Sequence, residues 1–136
     1  MPTEPEKQLF EVKIIPPGLT HVTSYVPLIR LEVAMPLCAA VVDSARTAPI
    51  AALVMDLAAI SKATPRAALY AVRQMKIAPL RRIAFVGGNT FMHALATVVL
   101  TVARFPAFKF FSSEEKAIQW AAGAGDEKPI PSRSVV

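Results

Sequence analysis

Apolar and polar positions alternate through Phe10, Val12 and Ile14, which predicts a strand from Leu9 to Ile15. Pro16-Pro17-Gly18 then predicts a turn that no strand crosses. Alternation resumes from Leu19 to Tyr25. It puts Leu19, His21, Thr23 and Tyr25 on one face and Thr20, Val22 and Ser24 on the other. The β-branched content favours a second strand, hairpin-paired with the first. The period then lengthens: Leu31, Met35, Cys38, Val42 and Ala45 recur at helical spacing. Pro36 is tolerated only in a first turn, so this helix is expected to start near Ala34 and to stop at Thr47-Ala48-Pro49.

Ile50 to Leu57 reads IAALVMDL, a continuous apolar run of the kind that forms a strand buried on both faces. After a loop over Ala58 to Lys62, Thr64 is an N-cap and Pro65 a first helical residue. The helix from Pro65 to Met75 is expected to bury Ala68, Leu69, Val72 and Met75, and Ala78-Pro79 interrupts it. Arg81 to Val86 predicts another buried strand. Gly87-Gly88-Asn89-Thr90 leads from it into a helix over Phe91 to Arg104. Phe108 to Phe111 predicts a short strand. Ser112 or Ser113 caps a last helix, whose first-turn Glu114 and Glu115 suit the helix dipole. Strands alternating with helices predict an α/β domain with a mostly parallel sheet, an N-terminal β-hairpin and about four helices. The expected limits are a flexible leader over 1–8, one domain over 9–123 and a flexible tail over 124–136.

Composition adds constraints on the setting. Of the 136 residues 54% are apolar and 18% charged, which excludes intrinsic disorder. It also suggests more apolar surface than one small domain hides, so a homodimer or another partner is an expectation. Cys38 is the single cysteine, so no intramolecular disulfide forms. The opening residues are polar and acidic, without the basic start and apolar core of a secretory signal, and a cytoplasmic setting is expected. Phe91 to Ala103 is the longest apolar stretch, short of the roughly 20 residues that span a bilayer. It predicts a buried core helix. The net charge is +5, and Lys62, Arg66, Arg73, Lys76, Arg81 and Arg82 fall close together. That is either a solvated surface or a face for phosphates, an acidic partner or anionic lipid. Aromatic residues do not interleave with these cations, so nucleic acid is not an expected partner.

No catalytic constellation is present in the pattern. Cys38 lies in an Ala-rich helix with no cation near it in sequence, as a buried inert thiol does. His21 and His93 lack a third ligand at metal-site spacing, so no metal or cofactor is expected. Asp56 sits near the carboxyl end of a central strand, where open α/β sheets place ligands, and where an Asp also caps the following loop. Gly87-Gly88-Asn89-Thr90 either cradles an anion with its N–H groups or simply permits a tight turn. His93, just beyond it, joins these as a candidate binding residue at the same edge.

Two segments carry a resemblance. LVMDLAAISKATPRAALY resembles the STAS pattern of a buried strand ending in Asp-Leu, a short loop and a capped helix. RRIAFVGGNTFMHALATVVLTVARFPAFKFFSSEEKAIQWA is similar to the second half of SpoIIAA-like proteins of that family, above all at Phe110-Phe111-Ser112-Ser113-Glu114-Glu115-Lys116-Ala117-Ile118-Gln119-Trp120. The match runs from Ile50 to Ala122 and is loose over the hairpin. It implies helices largely on one face of the sheet and a regulatory or binding module rather than an enzyme. Classical members are anti-sigma-factor antagonists switched by phosphorylation of a serine. The corresponding positions fall near Thr64-Pro65-Arg66-Ala67, where that serine is missing. Ser61 and Thr64 are the nearby hydroxyls, so the switch is not carried over.

The resulting expectation is a module acting through protein contacts, at a surface spanning Ser61, Thr64, Arg66 and Arg73 and the Gly87 to Phe91 turn. The alternative is an apolar-ligand or peripheral membrane module, with a cavity among Leu69, Met92, Leu95 and Val99.

Overall fold

Pro16, Pro17 and Gly18 reverse the chain between β1 (Phe10–Ile15) and β2 (Leu19–Ser24). The Gly18 N–H donates to the Ile15 carbonyl at 2.7 Å, and the peptide between the two prolines is cis. Gly18 itself has φ of 130°, a conformation open to glycine and costly for other residues. The chain is seen here as a computed structural model that describes residues 9–126. The leader expected over 1–8, and the tail from 127 onward, lie outside the described residues.

After the hairpin come β3 (Leu28–Ile29), α1 (Leu31–Thr47), β4 (Ala52–Asp56), β5 (Lys62–Ala63) and α2 (Pro65–Ile77). β6 (Arg82–Val86), α3 (Thr90–Val102), β7 (Phe108–Phe111) and α4 (Glu114–Ala122) complete the order. The main sheet runs β1-β2-β4-β6-β7, antiparallel between β1 and β2 and parallel elsewhere. β1 and β4 pair with the two edges of β2, α1 lies over one face of β2 and α4 over the other, and Leu19, Thr20, His21 and Val22 are all buried. Its two faces divide as the alternation predicts. Thr20 meets Ser44 of α1 at 3.2 Å, while His21 donates from Nε2 to Glu114 of α4 at 2.7 Å.

The two faces of the sheet build separate cores. Val22, Leu53, Ile83 and Phe85 pack under α1, α2 and α3. Leu19, Ala52, Val54 and Ala84 pack against Ala117 and Ala121 of α4. Three helices therefore share one face, and among the described residues α4 and the turn that follows it close the other. A short 3-10 turn over Gly123–Asp126 follows α4, and Ala124 is buried in the second core, so the chain stays packed past Gly123.

Four expectations need correction. α1 starts at Leu31, not near Ala34, which leaves Pro36 in its second turn. Pro36 and Glu32 are both exposed, so the carbonyl that Pro36 leaves without a helical donor is on the solvent side of the helix, open to water. β3 and β5, two residues each, pair in parallel, so Lys62 is in a strand and not in the loop expected over Ala58 to Lys62. α2 buries the row at Ala67 and Met75 and leaves Leu69 half exposed, because Leu69 lies on the far side of the helix from that row. α3 is not buried all round. It covers the sheet with Met92, Val99 and Leu100, while Phe91, Val98 and Val102 face outward.

Candidate functional site

The carboxyl ends of β4 and β6 lie side by side, with Asp56 opposite Val86 in the register. Two loops leave this edge. One runs from Leu57 to Thr64 into α2, and the other from Gly87 to Asn89 into α3. The parallel register thus brings together the residues that the sequence singled out in two separate segments.

Most of them hold backbone. Asp56 accepts from the Ala58 N–H at 2.8 Å, which turns the chain off the strand. Thr64 caps α2 by accepting from Ala67 N–H at 3.2 Å, and its own N–H donates to the Ile29 carbonyl. Asn89 caps α3 by accepting from Met92 N–H at 2.8 Å, and its side-chain amide donates to the Ser61 carbonyl at 3.1 Å. Gly87 donates its N–H to the Phe111 carbonyl at 3.0 Å, so that group is not aimed at a ligand. Gly87 and Gly88 have φ of 68° and 92°. A Cβ on Gly88 would stand 2.8 Å from the Leu57 Cβ, so the two loops approach more closely here than any side chain allows.

His93 lies one turn into α3 and donates from Nε2 to the Gly87 carbonyl at 2.6 Å, which fixes the hydrogen on Nε2. Its ring sits on Phe110, 4.5 Å between centroids. Thr90, Arg66 and Arg73 are exposed. Arg82 departs from the expected basic cluster: it turns to the α4 face, where its guanidinium donates to the Trp120 carbonyl at 2.6 Å and lies 5.0 Å from the indole ring. Among the described residues no three His, Cys, Asp or Glu side chains gather as a metal site, and no helix is long and apolar enough to cross a membrane.

Behind this edge lies a cavity of about 150 Å³ between α1, α2, α3 and the sheet. Among the described residues its lining carries no charged side chain and no hydroxyl. Leu37, Cys38 and Val41 come from α1, Met92, Leu95 and Val99 from α3, and Leu53 and Phe85 from the floor. The expected cavity residues Met92, Leu95 and Val99 therefore line it, and Leu69 does not. The gap has a local cause. Ala67, Ala68 and Ala71 occupy the inner side of α2, and Ala96 faces them from α3, so side chains stop at Cβ where a packed core would carry Leu or Ile. Alanine at i and i+4 on a core-facing helix row was the signal available for this. Cys38 lines the same space, and burial pushes its thiol up to about 11, so it stays protonated at neutral pH.

No protein-family model matches the chain, and no curated protein matches it. A solved structure does. An uncharacterised protein of the DUF3478 family with a SpoIIAA-like fold, from Shewanella loihica PV-4, is 16% identical, with a TM-score of 0.62 over 88% of this chain and 99% of that one. The likeness establishes the fold: this chain has a SpoIIAA-like fold, as the motifs at its carboxyl half imply.

Proposed function

We propose that the domain is a non-catalytic binding module and that the cavity between α1, α2, α3 and the sheet takes a small apolar ligand. The observation that carries this reading is the uniformly apolar lining of a space of about 150 Å³. Left empty, such a space forgoes the dispersion contacts that its lining would make with filling atoms. An apolar guest recovers part of that, and a cavity of this order holds about one benzene-sized molecule. Polar molecules are excluded, because nothing on the walls replaces their hydration. The non-catalytic part rests on Asp56 and His93, each spent on a backbone hydrogen bond.

Native mass spectrometry on gently purified protein, with thermal melts in benzene, toluene or hexane, tests the reading. A retained small molecule or a raised Tm supports it. Ala71→Leu, which fills the space from α2, should abolish the effect while the fold persists. Neither a retained molecule nor a shift with any of the three probes overturns it. The protein-contact reading draws on the exposed Arg66 and Arg73 and on the family resemblance. The cavity is the reason ligand binding is preferred.

A further inference from the structure

We infer that the outward faces of α2 and α3 form a docking surface for an anionic lipid bilayer. The inference rests on surface charge and exposure, and stands whether or not the cavity holds a ligand.

The starting observation is one of sequence. Between Asp56 and Glu114 the chain contains no acidic residue, yet it carries eight Lys and Arg. α2 and α3 both lie in this segment. On α2, Arg66, Leu69, Arg73, Lys76 and Ile77 fall within an arc of about 100°, at about 100° per residue, opposite the buried Ala67 and Met75. All five are exposed. On α3, Phe91, Val98 and Val102 form one stripe within about 40° by the same geometry, opposite the buried Leu100 and beside the row of Met92 and Val99. The large apolar side chains here are from 51% exposed at Phe91 to 72% at Ile77.

The two helices pack on each other on the same face of the sheet, so their outward stripes share one surface. Both helices follow a parallel strand and run back across the sheet, so they point the same way. The result is a face with cations along one helix and apolar side chains along both. The acids of this layer, Glu32 and Asp43, are on α1, beyond α2.

The charge pattern selects the occupant. A second copy related by a twofold axis would bring Arg66 and Arg73 against the same cations, with no acid among the described residues of the face to pair them. An anionic bilayer offers negative headgroups to the cations and, just below, apolar depth for Leu69, Ile77, Phe91, Val98 and Val102. That layering matches cations and apolar side chains interspersed on one surface.

The test is co-sedimentation of the full chain with phosphatidylcholine vesicles containing about a third phosphatidylserine, against phosphatidylcholine alone. Binding is expected on the mixed vesicles, weaker on the neutral ones, and falling as salt rises. Each cation near such a surface strengthens binding about fivefold, so R66Q/R73Q should lose about 25–30-fold. V98S/V102S should weaken binding to both kinds of vesicle. These side chains are solvent-facing, and a thermal melt checks that each variant stays folded; K62Q/K76Q replaces the arginine pair if it does not. No binding of the wild type to mixed vesicles overturns the inference, as does binding unchanged in both variants. A vesicle-free dimer that V98S/V102S converts to monomer also overturns it and assigns the face to a second copy. Retention on an acidic protein resin without vesicle binding assigns the face to a protein. The benzene-induced shift in Tm is expected to survive all these variants, so failure of docking and failure of the cavity reading are told apart.

Discussion

Asn89 ties the two loops of the carboxyl edge together: its side-chain amide donates to the Ser61 carbonyl at 3.1 Å while its Oδ1 accepts from the Met92 N–H at 2.8 Å. One side chain thus caps α3 and holds the segment that leads into α2. Asn89→Ala should cost about 1 kcal/mol for the lost cap, with more for the freed loop. Asn89→Asp keeps the acceptor and loses the donor, so it should fall between wild type and alanine. Urea unfolding of the three proteins checks the order.

Gly88 stands where these loops touch. With φ of 92° and the Leu57 Cβ only 2.8 Å from where its own Cβ would lie, it admits no side chain. Gly88→Ala should destabilise the domain by about 2 kcal/mol or more, through strain and through displacement of Leu57. A shift in the urea midpoint at constant slope would report this. An unchanged midpoint would mean that the loop relaxes freely.

The buried His21 links β2 to the start of α4 through Glu114 at 2.7 Å, and its Nδ1 has no hydrogen-bond partner among the described residues. Glu114→Ala removes the one protein partner of a buried polar ring, with an expected loss of about 1–3 kcal/mol. Replacing both residues, as H21L/E114A, removes the polar ring along with its partner. That double variant should be closer to wild type in thermal melts than E114A alone.

Cys38 should be slow to alkylate at neutral pH, because burial raises its thiol from 9.0 to about 11. The sign of the linked stability follows. The unfolded chain ionises this thiol first, so the contribution is intact below pH 9.0 and is lost as pH rises towards 11. C38A should flatten the stability profile over that window. Iodoacetamide labelling should also slow further when a benzene-sized guest occupies the cavity that Cys38 lines.

How much of this was legible beforehand depends on the range of the interaction concerned. Thr64 and Ser113 act on N–H groups three residues away, so the start of α2, and that of α4 to within one serine, are visible in sequence, whereas Asn89 was read only as part of a turn. Asp56 as a loop cap is equally local. The start of α1 was misplaced because Pro36 is tolerable in a second turn only if the carbonyl it strands faces water, which depends on where the helix sits. The outward turn of Leu69 and the half-exposed stripe of α3 were missed for a related reason. Periodicity identifies an apolar row but not whether a neighbour covers it.

The sequence by itself determined the order of the main-sheet strands and of the helices between them, the parallel sheet with its leading hairpin and the helix starts at Thr64-Pro65 and the Ser112-Ser113 pair, because turns, caps and periodicity act over a few residues. Only the tertiary structure decided that β2 is buried on both faces, that the loops after β4 and β6 lock through Asn89 and Gly88, and that small residues on α2 and α3 face one another across a cavity. Each of these is a contact between segments far apart in the chain. Such contacts depend on how the strands are ordered and how the helices rotate, and short-range pattern carries no term for either.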